Sequence, residues 1–358
     1  MRIGIAGAGL LGRLLAFELT RTGHQVEVFD PAPDALWYSQ GTRAAGFTAA
    51  GMLSPVAELE SADDAVFALG LRALQRWPEI VAALHPPVQL TQAGSLLLAH
   101  RGDEGAAHRV LDLLRHKAPA EHAPQALDRA ALAALEPAVL APAHAWMLPC
   151  EGHIHTVQAL QALATTAAAQ GARWHWGHAV TRLEPGRLRT ARGTHTFDWV
   201  FDVRGLGARD TASEFGRSLR GVRGEIFWLH APGVPLSRPL RLLHPRHRVY
   251  LVPRAGDVVV VGASEIESED RSPVSLRSTV ELLAAAHSVL PELAEARVLH
   301  SEANLRPALP DNQPRLHTEP GLTRINGLFR HGWLIAPALV EQALAALPTT
   351  PSHEAVSA

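Results

Sequence analysis

The sequence of 358 residues predicts an α/β fold in two parts, a glycine-rich βαβ unit and a separate antiparallel sheet. The first part is indicated by residues 1–30, where an apolar run, a glycine-rich turn, a helical pattern and a second apolar run follow one another. The second part is indicated by residues 224–262, where strand patterns follow one another without an intervening helix. Because parallel strands need long crossover connections, this block favours antiparallel pairing.

The glycine-rich turn at residues 7–12 fits the pattern G-x-G-x-x-G and opens a helical pattern directly after a strand pattern. Gly7 permits a tight turn, Gly9 lets the backbone approach a pyrophosphate, and Gly12 lets helix and strand pack closely. The helix start adds unpaired N–H groups for phosphate. The second strand ends in Asp30, which can accept hydrogen bonds from an adenosine ribose. The motif therefore predicts a Rossmann-like dinucleotide site and leaves NAD and FAD open.

Beyond the first unit, the apolar pattern switches repeatedly between helical and extended periods. Helices are predicted at residues 64–84, 106–117, 128–135, 157–170, 272–290 and 336–347. Strands are predicted at residues 94–100, 174–176, 179–183, 194–203, 224–231, 248–253, 257–262, 297–305 and 322–328. Ser272 is predicted to cap the helix at 272–290, with Pro273 as its first residue, and Gly332 is predicted to form a turn.

The composition excludes several classes of function. A net charge of −2 gives no basic surface, so we expect neither a nucleic-acid partner nor an anionic membrane. Lys117 is the only lysine, which argues against Schiff-base chemistry, and Cys150 is the only cysteine, which excludes an internal disulfide and fits a reducing compartment. Arg13 and Glu18 interrupt the first apolar run, so we predict no signal peptide, no transmembrane helix and a cytoplasmic location.

Three polar residues in apolar surroundings are candidates for substrate binding. Tyr250 is one of two tyrosines and lies in a strand pattern, where a tyrosine commonly packs in the core with its hydroxyl at the edge. Arg306 and Arg330 lie at the ends of elements between apolar residues. Most arginines are solvated surface charges, but this placement suits bidentate binding of a substrate carboxylate.

The closely spaced histidines are the candidates for metal binding. His153 and His155 form one pair, and His244 and His247 form another. Neither pair has an acidic or cysteine neighbour that would complete a ligand set, so we predict no metal.

Six segments occur in an order that resembles a known family: residues 7–12, 48–53, 250–254, 261–264, 305–307 and 329–338. Together they resemble the flavin-dependent glycine oxidases of bacterial thiamine biosynthesis, which belong to the D-amino-acid oxidase superfamily. The resemblance spans nearly the whole chain. It favours FAD over NAD, because the segments at 49–53 and 329–338 are more specific than the glycine-rich turn.

The resemblance implies an α/β fold in which a Rossmann-like FAD-binding domain is interleaved with an antiparallel-sheet substrate domain, as in D-amino-acid oxidases. The implied FAD-binding domain is discontinuous and covers residues 1–84, 145–220 and 300–347. The implied substrate domain covers residues 85–144 and 221–299, and a disordered tail is expected at residues 348–358.

The resemblance also implies a site with non-covalent FAD. Arg306 would pair with the substrate carboxylate, Tyr250 would bond it or shape the pocket, and Arg330 would lie nearby. The implied cofactor-binding residues are Gly7, Gly9, Leu10, Leu11, Gly12, Asp30, Ala45, Gly46, Ala50, Gly51, Met52, Val180, Leu328, Phe329, Arg330, His331, Gly332, Trp333 and Leu334.

The implied reaction moves a hydride from the substrate Cα to flavin N5, giving an imine and, with oxygen as acceptor, hydrogen peroxide. The expected substrates are glycine, sarcosine or D-amino acids, the imine would serve thiazole synthesis, and a homo-oligomer stays open. Leu328, His331 and Ala308 depart from the usual residues of the family. A D-amino-acid dehydrogenase that reduces a quinone stays open as an alternative, and a nicotinamide-dependent dehydrogenase or a non-enzymatic flavoprotein is less consistent with these segments.

Overall fold

Ten α-helices occur in residues 1–37, 44–209, 214–244 and 248–348, which are the residues that the computed structural model describes. They are α1 (Leu10–Arg21), α2 (Ala45–Thr48), α3 (Pro55–Glu58), α4 (Asp64–Ala82), α5 (Glu104–Lys117), α6 (Arg129–Leu135), α7 (Thr156–Ala169), α8 (Glu214–Arg217), α9 (Leu276–Val289) and α10 (Gly332–Ala345). Short 3-10 helices cover Ala120–His122, Gly205–Ala208 and Pro291–Glu295. Helix α10 packs on α1 and α4, and α7 packs on α1.

Twenty strands occur in the same described ranges. They are β1 (Arg2–Ala6), β2 (Gln25–Asp30), β3 (Met52–Leu53), β4 (Leu90–Thr91), β5 (Ser95–Ala99), β6 (Gln125–Leu127), β7 (His144–Leu148), β8 (Gly152–Ile154), β9 (Arg173–Trp176), β10 (Val180–Glu184), β11 (Arg187–Thr190), β12 (Gly193–Thr196), β13 (Trp199–Asp202), β14 (Arg220–His230), β15 (Leu240–Leu243), β16 (Arg248–Arg254), β17 (Val258–Gly262), β18 (Arg297–Ala308), β19 (Arg315–Glu319) and β20 (Leu322–Asn326). The strand orders are β19-β20-β13-β1-β2-β9, β18-β14-β17-β16-β15-β5-β7-β6, β10-β11-β12 and β3-β8-β4.

The six-stranded sheet is parallel except at its edge strand β19, and it is covered on both faces. Ile3 and Ile5 of β1 belong to the same apolar cluster as Leu14 of α1. Ala6 belongs to a second cluster with Leu188 of the small sheet β10–β12. The carboxyl ends of β1, β2 and β13 meet at one edge, which is where open α/β sheets bind ligands.

The eight-stranded sheet is antiparallel apart from the pairing of β15 with β5. Its longest pairing joins β14 and β18 from Arg220 opposite Ala308 to His230 opposite Arg297. The antiparallel block predicted from residues 224–262 lies in this sheet as β14, β16 and β17. The predicted fold class is therefore confirmed.

The helix predicted at residues 272–290 begins later than expected. The prediction of Ser272 as N-cap and Pro273 as first residue is wrong, because Ser275 caps α9 by accepting a backbone N–H three residues on (3.1 Å). Asp270 accepts hydrogen bonds from both the N–H (2.8 Å) and the hydroxyl (2.7 Å) of Ser272. This local turn holds Ser272 away from the helix start.

The strand predicted at residues 194–203 is two strands, β12 and β13, in different sheets. The break falls at Phe197 and Asp198. Phe197 donates its N–H to the Gly186 carbonyl (2.8 Å), and the Asp198 carboxylate accepts the N–H of Arg2 (2.7 Å). These bonds fix the crossing from the small sheet to the six-stranded sheet.

The last helix also starts earlier than predicted. Gly332 is its first residue rather than a turn, and α10 ends at Ala345. Pro337 lies inside the helix and has no N–H for the carbonyl of Trp333 four residues earlier. The indole Nε1 of Trp77 in α4 donates to that carbonyl (3.0 Å), so the buried oxygen keeps a partner.

Replacing Trp77 with phenylalanine should lower the free energy of unfolding by about 1–3 kcal/mol more than a Trp→Phe change that loses no hydrogen bond, because the Trp333 carbonyl would stay buried without a partner. Denaturant unfolding measures this loss. Trp174→Phe is the matched control, since the Trp174 Nε1 is buried and has no hydrogen-bond partner among the described residues. Equal losses in the two variants would contradict the role given to this bond.

The predicted domain division stays a prediction. Strand β7 spans the predicted boundary between 144 and 145, strand β18 spans the boundary at 300, and both pair within the eight-stranded sheet. The predicted tail at 348–358 lies outside the described residues except for its first residue. None of the helices in the described ranges is long and apolar enough to cross a membrane.

Candidate active site

A cavity of about 1030 Å³ is lined by residues of both main sheets. Nearly all the residues predicted for the site are among those that line it. It extends from the glycine-rich turn after β1 to Tyr250 on β16 and Arg306 on β18. Every predicted cofactor-binding and catalytic residue lines it except Gly12. The structure thus brings these residues together, and their individual roles stay predictions.

The glycine-rich turn leaves no room for side chains at two positions. Gly7 has a φ of 105°, and a Cβ there would lie 2.6 Å from the Val203 carbonyl oxygen. A Cβ on Gly12 would lie 1.9 Å from the Gly7 carbonyl oxygen. Gly12 therefore allows the helix to pack closely against the turn, although it does not line the cavity. Helix α1 begins at Leu10 without a side-chain cap, and Leu10 and Leu11 line the cavity, as expected of a helix start that binds an anion.

Asp30 is fixed by two backbone N–H groups at the end of β2. Its Oδ2 accepts from Ala8 (2.6 Å) and its Oδ1 from Ala32 (2.8 Å). A carboxylate has about four lone-pair sites, so two remain for ribose hydroxyls. The same bonds hold the glycine-rich turn against the strand end.

Arg13 is a buried cavity residue that the sequence interpretation did not assign to the site. It is 2% exposed and donates to the carbonyls of Ala8 (2.8 Å), Leu160 (2.7 Å) and Ala35 (3.2 Å). Burial lowers the pKa of Arg13 to about 10, so the guanidinium remains charged at neutral pH. Its signal in the sequence is an arginine directly after Gly12 in an otherwise apolar helix start.

Arg254 donates a hydrogen bond to the backbone of the segment Ala50–Gly51–Met52. The sequence interpretation gave this arginine no role in the site. Gly51 has a φ of 71°, and its carbonyl accepts the N–H of Ile154 (2.9 Å). Arg254 donates one nitrogen to the Ala50 carbonyl and another to the Pro253 carbonyl (3.1 Å). Burial lowers the pKa of Arg254 to about 9. A buried cation thus fixes the backbone beside the predicted flavin region.

The segment from Leu328 to Leu334 forms a tight bend into α10. Phe329 has a φ of 48°, a conformation that residues other than glycine seldom adopt, and its N–H donates to the Pro307 carbonyl (2.9 Å). Trp333 donates its Nε1 to the Gly46 carbonyl (3.0 Å), which ties α10 to α2. Such unusual conformations are often found at functional sites.

Tyr250 and Arg306 face the same cavity from neighbouring parts of the large sheet. Tyr250 lies opposite Gly262, where a Cβ would come within 2.6 Å of the Tyr250 hydroxyl. Burial raises the pKa of Tyr250, so its phenol is neutral at physiological pH. A neutral phenol can donate a hydrogen bond to a carboxylate.

Arg306 is held by backbone carbonyls and forms no ion pair within the described residues. It donates to Ser264 O (3.1 Å) and Arg223 O (3.2 Å), and Gly224 lies beneath its guanidinium, where a Cβ would meet Cζ at 2.4 Å. No carboxylate of the described residues lies within 4.0 Å of it. Burial lowers the pKa of Arg306 from its very high ordinary value, and the positive charge remains.

Glu58, at the end of α3, is the centre of a charged cluster that the sequence interpretation missed. It accepts from Arg330 Nε (2.8 Å) and Arg241 Nη2 (2.9 Å), and His331 Nδ1 lies 3.2 Å away. Burial raises the pKa of Glu58, but Arg330, His331 and Arg241 outweigh it and hold the pKa well below its usual value. The sequence signal for this cluster is weak, since it consists of an acid directly after the three apolar residues 55–57.

Comparison with known proteins defines the class of protein that this fold and cavity form. Residues 2–346 match the model of the DAO family, described as FAD dependent oxidoreductase. The chain belongs to this family of FAD-dependent oxidoreductases.

Relatives within this class narrow the resemblance further. A thiamine biosynthesis oxidoreductase ThiO of Rhizobium etli is 40% identical over 342 residues, which cover 95% of this chain and 94% of that protein. A glycine oxidase of Geobacillus kaustophilus is 28% identical over 357 residues, which cover 94% and 89%. Its crystal structure matches with a TM-score of 0.81 at 26% identity and covers 96% of this chain and 94% of that chain. The predicted resemblance to glycine oxidases is confirmed.

FAD is the cofactor of this protein, and the cavity fits it. Gly7 and Gly12 exclude side chains from the turn, while a Cβ on Gly9 would have only Ala44 near it (3.6 Å) and would project into open space. The free N–H groups at the start of α1 suit the pyrophosphate. Asp30 would hold the adenosine ribose, and the predicted flavin region would be held by Ala50–Met52 and Leu328–Leu334.

The predicted histidine pairs lie in unlike places. His153 is buried in β8 and His155 is half-buried directly after it, and desolvation lowers the pKa of His153 to about 3 and of His155 to about 4. His247 lies outside the described residues, so its pairing with His244 is not described. Within the described ranges no three His, Cys, Asp or Glu side chains form a group that could hold a metal ion.

Proposed function

We propose that the protein oxidises glycine or a related small amine acid, such as sarcosine or a D-amino acid, to an imine with formation of hydrogen peroxide. The names of its relatives support this substrate class, since two of them are a glycine oxidase and the oxidoreductase ThiO. Their coverage of nearly the whole chain means that the proposal concerns the complete fold rather than a shared nucleotide-binding unit.

The position of Arg306 in the cavity lining is the observation that most strongly supports the proposal. Its guanidinium faces the cofactor cavity without a carboxylate partner in the described residues, and two backbone carbonyls hold it in place. Carbonyl hydrogen bonds leave the net charge of this half-buried guanidinium in place, and a substrate carboxylate would compensate it. Tyr250 lines the same cavity and would donate to this carboxylate as a neutral phenol.

The roles proposed for the residues are to bind and orient the substrate. Bound FAD would supply the oxidising chemistry by accepting a hydride from the substrate Cα at N5 and passing the electrons to oxygen. A bidentate contact from Arg306, with Tyr250 beside it, would fix the carboxylate and so the direction of the Cα–H bond. The substrate would react as its neutral amine after loss of one proton to solvent, so hydride transfer would need orientation more than a dedicated base of the protein.

The proposal includes the wider setting of the reaction. The imine would hydrolyse or feed the thiazole part of thiamine synthesis, as the name of the Rhizobium etli relative suggests. The domain division and a cytoplasmic location complete the set of predictions that accompany this function, and a homo-oligomeric state stays open.

A substrate panel tests the proposed function. Purified protein with bound FAD is mixed with glycine, sarcosine and D-amino acids in air, and peroxide is measured beside reduction of a quinone or dye under nitrogen. We expect peroxide with glycine or sarcosine, because Arg306, which forms no ion pair in the described part of the site, is available to the carboxylate of a small substrate. Turnover with the dye and little with oxygen would favour the dehydrogenase alternative, and no turnover with any acceptor would contradict both.

A further inference from the structure

Arg330, at the mouth of the cavity, already has partners for each nitrogen of its guanidinium. Nε donates to Glu58 (2.8 Å), Nη1 to Glu265 (3.1 Å) and Nη2 to the Ser61 hydroxyl (3.0 Å). Its positive charge therefore faces two carboxylates of the protein itself. Without displacement of one of these groups, Arg330 has no free edge for bidentate binding of a substrate.

The three arginines around the substrate end of the cavity thus differ in their partners. Arg241 pairs with Glu58 (2.9 Å), and Arg330 pairs with Glu58 and Glu265. Arg306 has carbonyl partners and, among the described residues, no carboxylate within 4.0 Å. In the described part of the site, Arg306 is therefore available to a substrate carboxylate, whereas carboxylates of the protein neutralise the charges of Arg241 and Arg330.

The backbone on both sides of Glu265 is fixed. The Ser264 hydroxyl donates to the fully buried carboxylate of Glu225 (3.1 Å). Ile266 exchanges two backbone hydrogen bonds with Arg223 (2.9 and 3.0 Å). The carbonyl of Ser264 also accepts a hydrogen bond from Arg306. Residues 264 and 265 thus contact Arg306 and neutralise the charge of Arg330. Glu265 is therefore placed at Arg330 by its backbone, although its side chain is 43% exposed.

We propose that Glu265 makes the site selective for amino acids with a single carboxylate by occupying Arg330. The inference rests on the proposed function and adds a residue that determines its specificity. A second substrate carboxylate that reached Arg330 would displace Glu265 and lie beside the negative charges of Glu265 and Glu58. Such like-charge contacts discriminate between ligands as effectively as attractive ones.

Glu265→Gln tests this selectivity through the ratio of kcat/KM for iminodiacetate to that for glycine. We expect the ratio to rise about tenfold, which corresponds to about 1.4 kcal/mol, and mainly through a lower KM for iminodiacetate. Glu265→Asp keeps the charge and should leave the ratio near that of the unchanged protein. Glu267→Gln is the matched control, because Glu267 is 66% exposed, pairs with Arg220 (3.4 Å) and lies outside the cavity.

Binding of unreactive carboxylates gives a readout that does not need turnover. Malonate and acetate are titrated into the oxidised protein, and the visible spectrum of FAD reports their dissociation constants. Glu265→Gln should tighten malonate relative to acetate by a similar factor. The proposal is overturned if Glu265→Gln does not tighten the binding of malonate relative to acetate. It is also overturned if Glu267→Gln tightens malonate by the same factor. If no amine is oxidised, the proposed function fails, while this comparison still decides the role of Glu265.

Discussion

Replacing Arg306 with alanine should lower kcat/KM for glycine by about 10³-fold. The side chain offers the described site's uncompensated guanidinium to the substrate carboxylate, and its backbone carbonyl partners hold it there. Truncating one partner of a buried, hydrogen-bonded charge pair costs about 2–5 kcal/mol, and each 1.4 kcal/mol is tenfold. Steady-state kinetics with glycine measures the loss, which should be accompanied by a higher KM.

Two further variants separate substrate binding from general damage to strand β18. Arg306→Lys keeps the charge without the planar fork, so it should recover part of the lost activity. Arg297→Ala removes an arginine whose side chain is 71% exposed on the same strand and should leave kcat/KM unchanged. The FAD content of all three variants should match that of the unchanged protein. An Arg306→Ala variant with undiminished kcat/KM would contradict the role of this residue.

Replacing Gly12 with alanine should weaken FAD binding by about 100-fold or more. A Cβ at this position would lie 1.9 Å from the Gly7 carbonyl oxygen, so the backbone of the turn must move. Such a shift moves the N–H groups at the start of α1 away from the pyrophosphate, at a cost of about 2.7 kcal/mol or more. Titration of the apoprotein with FAD, followed by flavin fluorescence, measures the dissociation constant.

Gly105→Ala serves as the control for this glycine change. Gly105 lies in α5, and a Cβ there would have no atom within 4 Å. Alanine is favoured over glycine inside a helix, so this variant should bind FAD normally and be slightly more stable. Wild-type affinity in Gly12→Ala would show that the close contact in the turn is not needed for the cofactor.

The features that the sequence could predict are those that depend on local residue patterns. The strand, turn, helix and acid of residues 1–30 form β1, α1 and β2 with Asp30 at the strand end, because each step has a local cause. The antiparallel block was likewise visible as strands without helices between them. Residues named from the family resemblance line one cavity, although they come from segments hundreds of positions apart.

The features that the sequence could not predict depend on partners that are distant in the chain. Glu58 and Arg330 are 272 positions apart, and nothing in either segment indicates that they meet. The continuation of α10 through Pro337 leaves the Trp333 carbonyl without its helical partner, and the indole N–H of the distant Trp77 satisfies that carbonyl. Glu265 is one of four acids in residues 265–270, and nothing in that stretch indicates which of them pairs with Arg330.

The most direct test of the account is an anaerobic titration of the protein, with bound FAD, by glycine and sarcosine. The visible flavin band reports the redox state of the cofactor and does not depend on the final electron acceptor. The account predicts that the band bleaches with the unchanged protein and bleaches far less readily with Arg306→Ala. A flavin that stays oxidised with every small amino acid tested would contradict the claim that this site oxidises such substrates.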